Sequence, residues 1–120
     1  MKTILFIEDE QALQKTAGDT LREAGFEVIS ALDGEIGLRL AKDKNPDLVI
    51  LDLVLPKLDG FEVLKAFKET QETSHIPVMV LTNLEGIEDI QKVLSLGATT
   101  YLVKANYTLA ELVEKVKSVL

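Results

Sequence analysis

"LVILDLVLPKLDG", running from Leu48 to Gly60, is where the fold of this chain is decided. The stretch is apolar enough to be a strand covered on both faces, yet Asp52 interrupts it. Burying an unpaired charge costs several kcal/mol or more. A carboxylate at that place therefore has to be balanced by something the rest of the chain brings to it.

Four more apolar runs accompany "LVILDLVL" (Leu48 to Leu55): "ILFI" (Ile4 to Ile7), "FEVIS" (Phe26 to Ser30), "VMVLT" (Val78 to Thr82) and "TYLVK" (Thr100 to Lys104). Three of the five are nearly continuous, as strands between two helical layers would be, while the polar residue inside "FEVIS" puts that strand nearer an edge. Segments with helical spacing separate the runs. Leu13, Ala17, Leu21 and Ala24 share one face before Gly25, and Phe61, Leu64 and Phe67 share another. Ile87, Ile90 and Leu94 precede Gly97, Leu109, Leu112, Val113, Val116 and Leu120 close the chain, and Gly34 to Lys44 carries a weaker stripe. All of these stripes are expected to face the core, with Gly25 and Gly97 as helix C-terminal residues of left-handed conformation. Strand then helix, repeated, gives an α/β chain with right-handed crossovers and a five-stranded parallel sheet between helices.

Composition narrows the function. The chain has 120 residues, 47% of them hydrophobic, which suits one domain over residues 1–120. A net charge of −7 argues against a direct nucleic-acid partner. No cysteine is present, so disulfides and thiolate metal sites are excluded. The apolar runs fall far short of the ~20 residues that span a bilayer, and Met1 leads into a strand-like run with no signal-type pattern. No membrane association and a cytoplasmic location are the expectations.

In parallel sheets ligands gather at the carboxyl ends of the strands. The ends of these runs supply Glu8, Asp9, Asp52, Thr82 and Lys104. Singly, each has an ordinary use: Asp9 as a helix N-cap, Thr82 as a hydroxyl satisfying a loop, Lys104 as a solvated charge. Together they do not, because crowded carboxylates repel unless a cation sits among them, and Lys104 is one charge against three acids. A divalent, oxygen-preferring ion supplies the rest, and magnesium suits such a set. Asp9 and Asp52 are expected as direct ligands, with the Val54 carbonyl, and Glu8 through a bound water. Asp52 then keeps an oxygen free as a nucleophile toward phosphorus, and Thr82 and Lys104 join the ion in sharing the charge of the phosphoryl oxygens.

The order and spacing resemble the receiver domain of bacterial two-component response regulators over essentially the whole chain. "ILFIEDE", "PDLVILDLVLPKLDGFEVL", "IPVMVLT" and "GATTYLVK" are similar to its successive motifs. The resemblance implies a flavodoxin-like doubly wound (βα)5 sandwich with sheet order 2-1-3-4-5. It implies magnesium-dependent phosphoryl transfer to Asp52 from a phosphohistidine of a sensor histidine kinase or phosphotransfer protein. Such a domain is not a dedicated enzyme, although it promotes its own phosphorylation and dephosphorylation. By the same resemblance Glu8 and Asp9 are the acidic pair, Thr82 the switch hydroxyl, Lys104 the phosphate-binding lysine and Tyr101 the aromatic switch residue. A downstream protein would bind the surface made by the fourth helix, fifth strand and fifth helix, on a monomer or weak dimer.

Departures from the commonest family pattern are few. The acidic pair reads Glu-Asp, Asn83 follows Thr82, "GATTY" lacks a pair of aspartates before the aromatic, and Ala105 replaces the usual proline after Lys104. With one apolar helix after the last strand and no output domain, either a stand-alone receiver that signals by binding a partner or a receiver cut from a longer protein is expected. A hydrolase working through an aspartyl phosphate would need a second acid where Val54 stands, and a flavodoxin-like cofactor binder would need a glycine-rich cradle where "EDEQ" follows the first strand. A degenerate receiver acting as a constitutive interaction module is the remaining alternative, suggested by Glu8 and Ala105. The lysine–proline bond of the family is usually cis, so a cis Lys104–Ala105 bond is also expected, despite the ~2.5–4 kcal/mol it costs a non-proline residue. It would let Lys104 reach Asp52 while the last helix still starts close by, with Thr108 as its N-cap and Glu111 as the capping-box partner.

Overall fold

All residues from Met1 to Leu120 are described by a computed structural model, in which the apolar runs become five strands. These are β1 (Thr3–Ile7), β2 (Glu27–Ala31), β3 (Leu48–Leu51), β4 (Val78–Thr82) and β5 (Thr100–Val103). They alternate with α1 (Gln11–Glu23), α2 (Gly34–Lys44), α3 (Gly60–Glu69), α4 (Ile87–Ser95) and α5 (Leu109–Val119). Every strand pair is parallel and the sheet order is β2-β1-β3-β4-β5, the flavodoxin-like arrangement expected from the sequence. "FEVIS" does lie at an edge. No helix is long and apolar enough to cross a membrane.

Strand alternation splits the core in two. Leu5, Ile7, Val49, Leu51, Val78 and Val80 face α2, α3 and α4, where Ala41, Val63, Leu64, Phe67 and Val93 meet them. Ile4, Phe6, Leu48, Ile50, Met79 and Leu81 face α1 and α5 and pack on Ala17, Leu21, Leu112, Val113 and Val116. Because β3 is sandwiched between these layers, all four of its residues are buried. Gly25 and Gly97 take positive φ of 101° and 104° after α1 and α4, as their places required. Thr108 caps α5 in a full capping box with Glu111, so this helix starts where the sequence said it would.

Three expectations fail. Leu109 and Leu120, at the two ends of the α5 stripe, are 36% and 38% exposed and not core, because the core reaches only Leu112, Val113 and Val116 of that helix. The stripe Ile87, Ile90, Leu94 on α4 is not core: Val93 is the one buried residue of that helix, and Ile87 and Leu94 are 72% and 48% exposed. Periodicity showed that α4 has an apolar face but not which way it turns. The Lys104–Ala105 bond is trans, as are all others. A short 3-10 turn over Lys104–Asn106 redirects the chain into α5 by ordinary torsions, and Lys104 still reaches Asp52.

The loop that follows Asp52 is held by close contact. A Cβ placed on Gly60 would lie 2.3 Å from Leu53 Cα and 2.6 Å from the Asp52 carbonyl oxygen, both of them backbone atoms that cannot swing aside. Gly60 N–H also donates to Leu53 O at 3.0 Å. Gly60→Ala is therefore expected to destabilise the domain by at least about 2 kcal/mol in equilibrium urea unfolding. A loss below ~0.5 kcal/mol, the range of ordinary surface changes, would show that the loop can move away.

Candidate functional site

Parallel register brings the acids together. β1 and β3 pair Ile7 with Leu51, so the next residues, Glu8 and Asp52, emerge side by side at the carboxyl end of the sheet. Asp52 N–H donates to Ile7 O at 3.1 Å and Glu8 N–H to Ala31 O at 3.0 Å, which extends the ladders one residue past the strands and fixes both backbones. On the other side β4 pairs Thr82 with Val103, whose successor is Lys104. Asp9 lies in the exposed turn between Glu8 and α1.

The side chains converge as expected. Lys104 Nζ lies 2.6 Å from Glu8 Oε1 and 3.0 Å from Asp52 Oδ2, with the lysine side chain only 15% exposed. Glu8, Asp9 and Asp52 each offer a carboxylate oxygen within 4.8 Å of the others. Glu8 Oε2 accepts from Glu10 N–H, and Asp52 Oδ1 accepts from Val54 N–H at 3.2 Å. Glu8 Oε1, close as it is to the ammonium, receives no hydrogen bond of good angle. One ammonium thus stands against three carboxylates and touches the two buried ones, Glu8 and Asp52, and the donor set is all oxygen. A hard divalent cation such as magnesium fits that charge and chemistry.

Thr82 is fully buried at the end of β4, and its Oγ1 has only a long contact, 3.5 Å, from Leu84 N–H. Tyr101 is half-buried on β5 and its hydroxyl donates to Leu84 O at 2.7 Å. Val54 exposes its side chain to solvent beside Asp52, Leu84 is half-buried, and Asn83 is exposed. One neighbour went unnoticed in the sequence. Gln14 is buried on α1 beneath the Glu8–Asp9 turn, and the signal for it was there: a polar residue three and seven positions before Ala17 and Leu21, on the face that the core covers.

Residues 4–117 match the family model described as the response regulator receiver domain. The chain is 40% identical over 117 residues to the probable transcriptional regulator ycf27 of Porphyridium aerugineum, covering 98% of this chain and 47% of that protein. It thus spans about half the length of the curated relatives it matches. Among solved structures it is similar to the chemotaxis protein CheY4 of Vibrio cholerae, with a TM-score of 0.92 and 31% identity over 100% of this chain and 99% of that one. The Mn2+-bound form of response regulator Rcp1 superposes with a TM-score of 0.86 at 31% identity, covering 98% and 93% of the two chains.

Burial decides the electrostatics of the acidic pair. Desolvation pushes the Glu8 carboxyl up to about 7, against the pull of Lys104 and the Glu10 N–H, and the Asp52 charge adds to the rise. Lys104 is also buried, which works against its charge, but its contacts with Glu8 and Asp52 prevail and hold it above its ordinary value. For Glu8 the folded state binds a proton more tightly than the unfolded chain does. Its burial therefore costs nothing below the unfolded value of 4.5, and the full cost is reached above about 7. Without divalent ions, Glu8→Gln should raise stability by about 1–3 kcal/mol at pH 8 and leave it nearly unchanged at pH 5. Thermal unfolding in a chelator checks this; an equal effect at both pH values would mean that Glu8 is ionised throughout.

Proposed function

This chain belongs to the response regulator receiver family, and from that membership we propose that Asp52 takes a phosphoryl group from the phosphohistidine of a sensor histidine kinase or phosphotransfer protein. Receivers are phosphoacceptors and not dedicated enzymes; they promote their own phosphorylation and dephosphorylation. The observation that carries the assignment to Asp52 is the Lys104 ammonium on its Oδ2, beside the two other acids, at the end of a buried central strand. A carboxylate oxygen of Asp52 attacks phosphorus, the phosphorus–nitrogen bond breaks, and the imidazole leaves with its electron pair. Lys104 and the Thr82 hydroxyl then hold the new phosphoryl oxygens. Residues 1–120 are read as one receiver unit.

Magnesium would be held by the Asp9 and Asp52 carboxylates and the Val54 carbonyl, with Glu8 reaching it through water. When bound it supplies positive charge that offsets the phosphoryl oxygens. The engagement of both Glu8 oxygens elsewhere, one beside Lys104 and one with Glu10 N–H, supports its outer role. That Rcp1 has an Mn2+-bound form favours a divalent ion in this fold.

Signalling is read as a change of surface. A Thr82 hydroxyl drawn to a phosphoryl oxygen gives up its place beside Leu84 N–H and opens room for the Tyr101 ring, which now reaches over to Leu84 O. The face of α4, β5 and α5 then changes, and a partner protein binds there. Support for that location is the unburied apolar face of α4, with Ile87 and Leu94 toward solvent.

Two outcomes test the reading. With magnesium and acetyl phosphate the wild-type chain should gain the mass of one phosphoryl group, and Asp52→Asn, folded by circular dichroism, should gain none. Stoichiometric labelling of that variant would refute the assignment. The phosphoryl group should also be long-lived among receivers, because Val54 and Leu84 flank the site with apolar side chains that cannot orient an attacking water. Val54→Asn combined with Leu84→Glu is expected to shorten the lifetime, measured by loss of label, and an unchanged lifetime would place the control of water elsewhere.

A further inference from the structure

Gln14 is 6% exposed in the second turn of α1, and its amide nitrogen points into a cluster of three main-chain carbonyls. Nε2 lies 2.7 Å from Phe6 O, 3.1 Å from Ala31 O and 3.2 Å from Glu8 O. Two N–H protons thus serve three acceptors. The orientation of the amide follows, since the reverse flip would set Oε1 against three carbonyl oxygens. Oε1 itself is buried and accepts no hydrogen bond from the protein.

The turn that this amide holds is also closed by Glu10 N–H on Glu8 Oε2 at 3.1 Å and Glu8 N–H on Ala31 O at 3.0 Å, but none of these bonds involves Asp9 itself. Glu10 begins α1 with no side-chain cap, and the Asp9 side chain is exposed and makes no hydrogen bond to the chain. Gln14 grips both neighbours of Asp9: its main-chain N–H donates to Glu10 O at 3.0 Å and its side chain to Glu8 O. Through Ala31 O it also ties this turn to the end of β2, where Glu8 N–H bonds the same oxygen. A buried amide whose donors go to three main-chain carbonyls, set where it joins the two residues on either side of an exposed acid, is better explained by the site than by the core.

We infer that Gln14 is a positioning residue for magnesium binding, holding the Glu8 to Glu10 turn so that the Asp9 carboxylate stays beside Asp52. The inference rests on the reading of Glu8, Asp9 and Asp52 as the metal and phosphoryl site. Removal of a group that orients ligands typically weakens metal affinity by roughly 10–100-fold. Gln14→Met keeps the length of the side chain and removes the donor, so calorimetric titration with magnesium chloride should show roughly tenfold weaker binding or worse. Ala17→Gly, which loosens the same helix without touching these carbonyls, should bind as the wild type does. A second measurement needs no variant: magnesium titration of 15N-labelled wild-type chain should shift the Gln14 side-chain amide resonance together with the Glu8 and Asp9 main-chain amides. Wild-type affinity in Gln14→Met, equal losses in Gln14→Met and Ala17→Gly, or a Gln14 resonance that stays put while magnesium binds would each overturn the role of Gln14 alone. A wild-type chain that takes up no magnesium would bring down the proposed metal site, and this inference with it.

Discussion

Lys104 stands between Glu8 and Asp52, and the carboxyl end of the sheet depends on that contact. Register places the two acids next to one another, since the residues before them, Ile7 and Leu51, are paired. Neither can reach bulk water, as Glu8 is 1% and Asp52 4% exposed. A buried carboxylate left without its cation costs about 3–5 kcal/mol, a large share of the ~5–15 kcal/mol that holds a small domain together. The lysine makes the arrangement tolerable but does not neutralise it once Asp9 is counted. What remains is a pocket of negative charge with fixed oxygens, to which a hard cation or a cation with a phosphoryl group is the natural complement.

That contact imposes demands on distant parts of the chain. β5 has to end at Val103 for Lys104 to turn inward, and the 3-10 turn then has to deliver the chain to the Thr108 cap within a few residues. The loop after Asp52 has to stay near the α3 N-terminus, where Gly60 permits a backbone approach that any side chain would block. Asp33 caps α2 and pairs with Lys57 at 3.5 Å, joining the same loop to the neighbouring helix. Lys57 holds a φ of 66°, so part of the tension of this tight connection sits in its backbone.

The sequence disclosed most of this because two signals agreed. Continuous apolar runs identified buried parallel strands, and polar residues at their ends pointed to the place where Glu8, Asp9, Asp52 and Lys104 converge, since the rule that ligands gather at strand carboxyl ends turns chain order into spatial proximity. Thr108 and Glu111 could be read because a capping box is a local pattern. The failures were of another kind. Ile87 and Leu94 have the spacing of a core face, but spacing cannot tell a face covered by the domain from one left open to solvent. The trans bond after Lys104 reflects freedom in the next two residues, which a family habit at a proline cannot foretell. Gln14 was overlooked because its partners are main-chain carbonyls, and no side-chain pattern in the sequence marks them.

α4 differs from its neighbours in a way that bears on signalling. It contributes one fully buried side chain, Val93, whereas α3 and α5 each contribute at least three. Its other ties are superficial: Lys92 rests over the Phe61 ring at 4.5 Å, and the loop before it is held by the Tyr101 hydroxyl on Leu84 O. Elements with few buried contacts open at the lowest free energy, and those that move in switches are drawn from them. In the proposed reading Thr82, fully buried at the end of β4 with only a long contact to Leu84 N–H, would be the link between that loosely held helix and the acids. On that reading a change at Asp52 would shift α4 while β3, its ladders and both cores stay as they are, so that a stable sheet and a movable surface would coexist in one small domain.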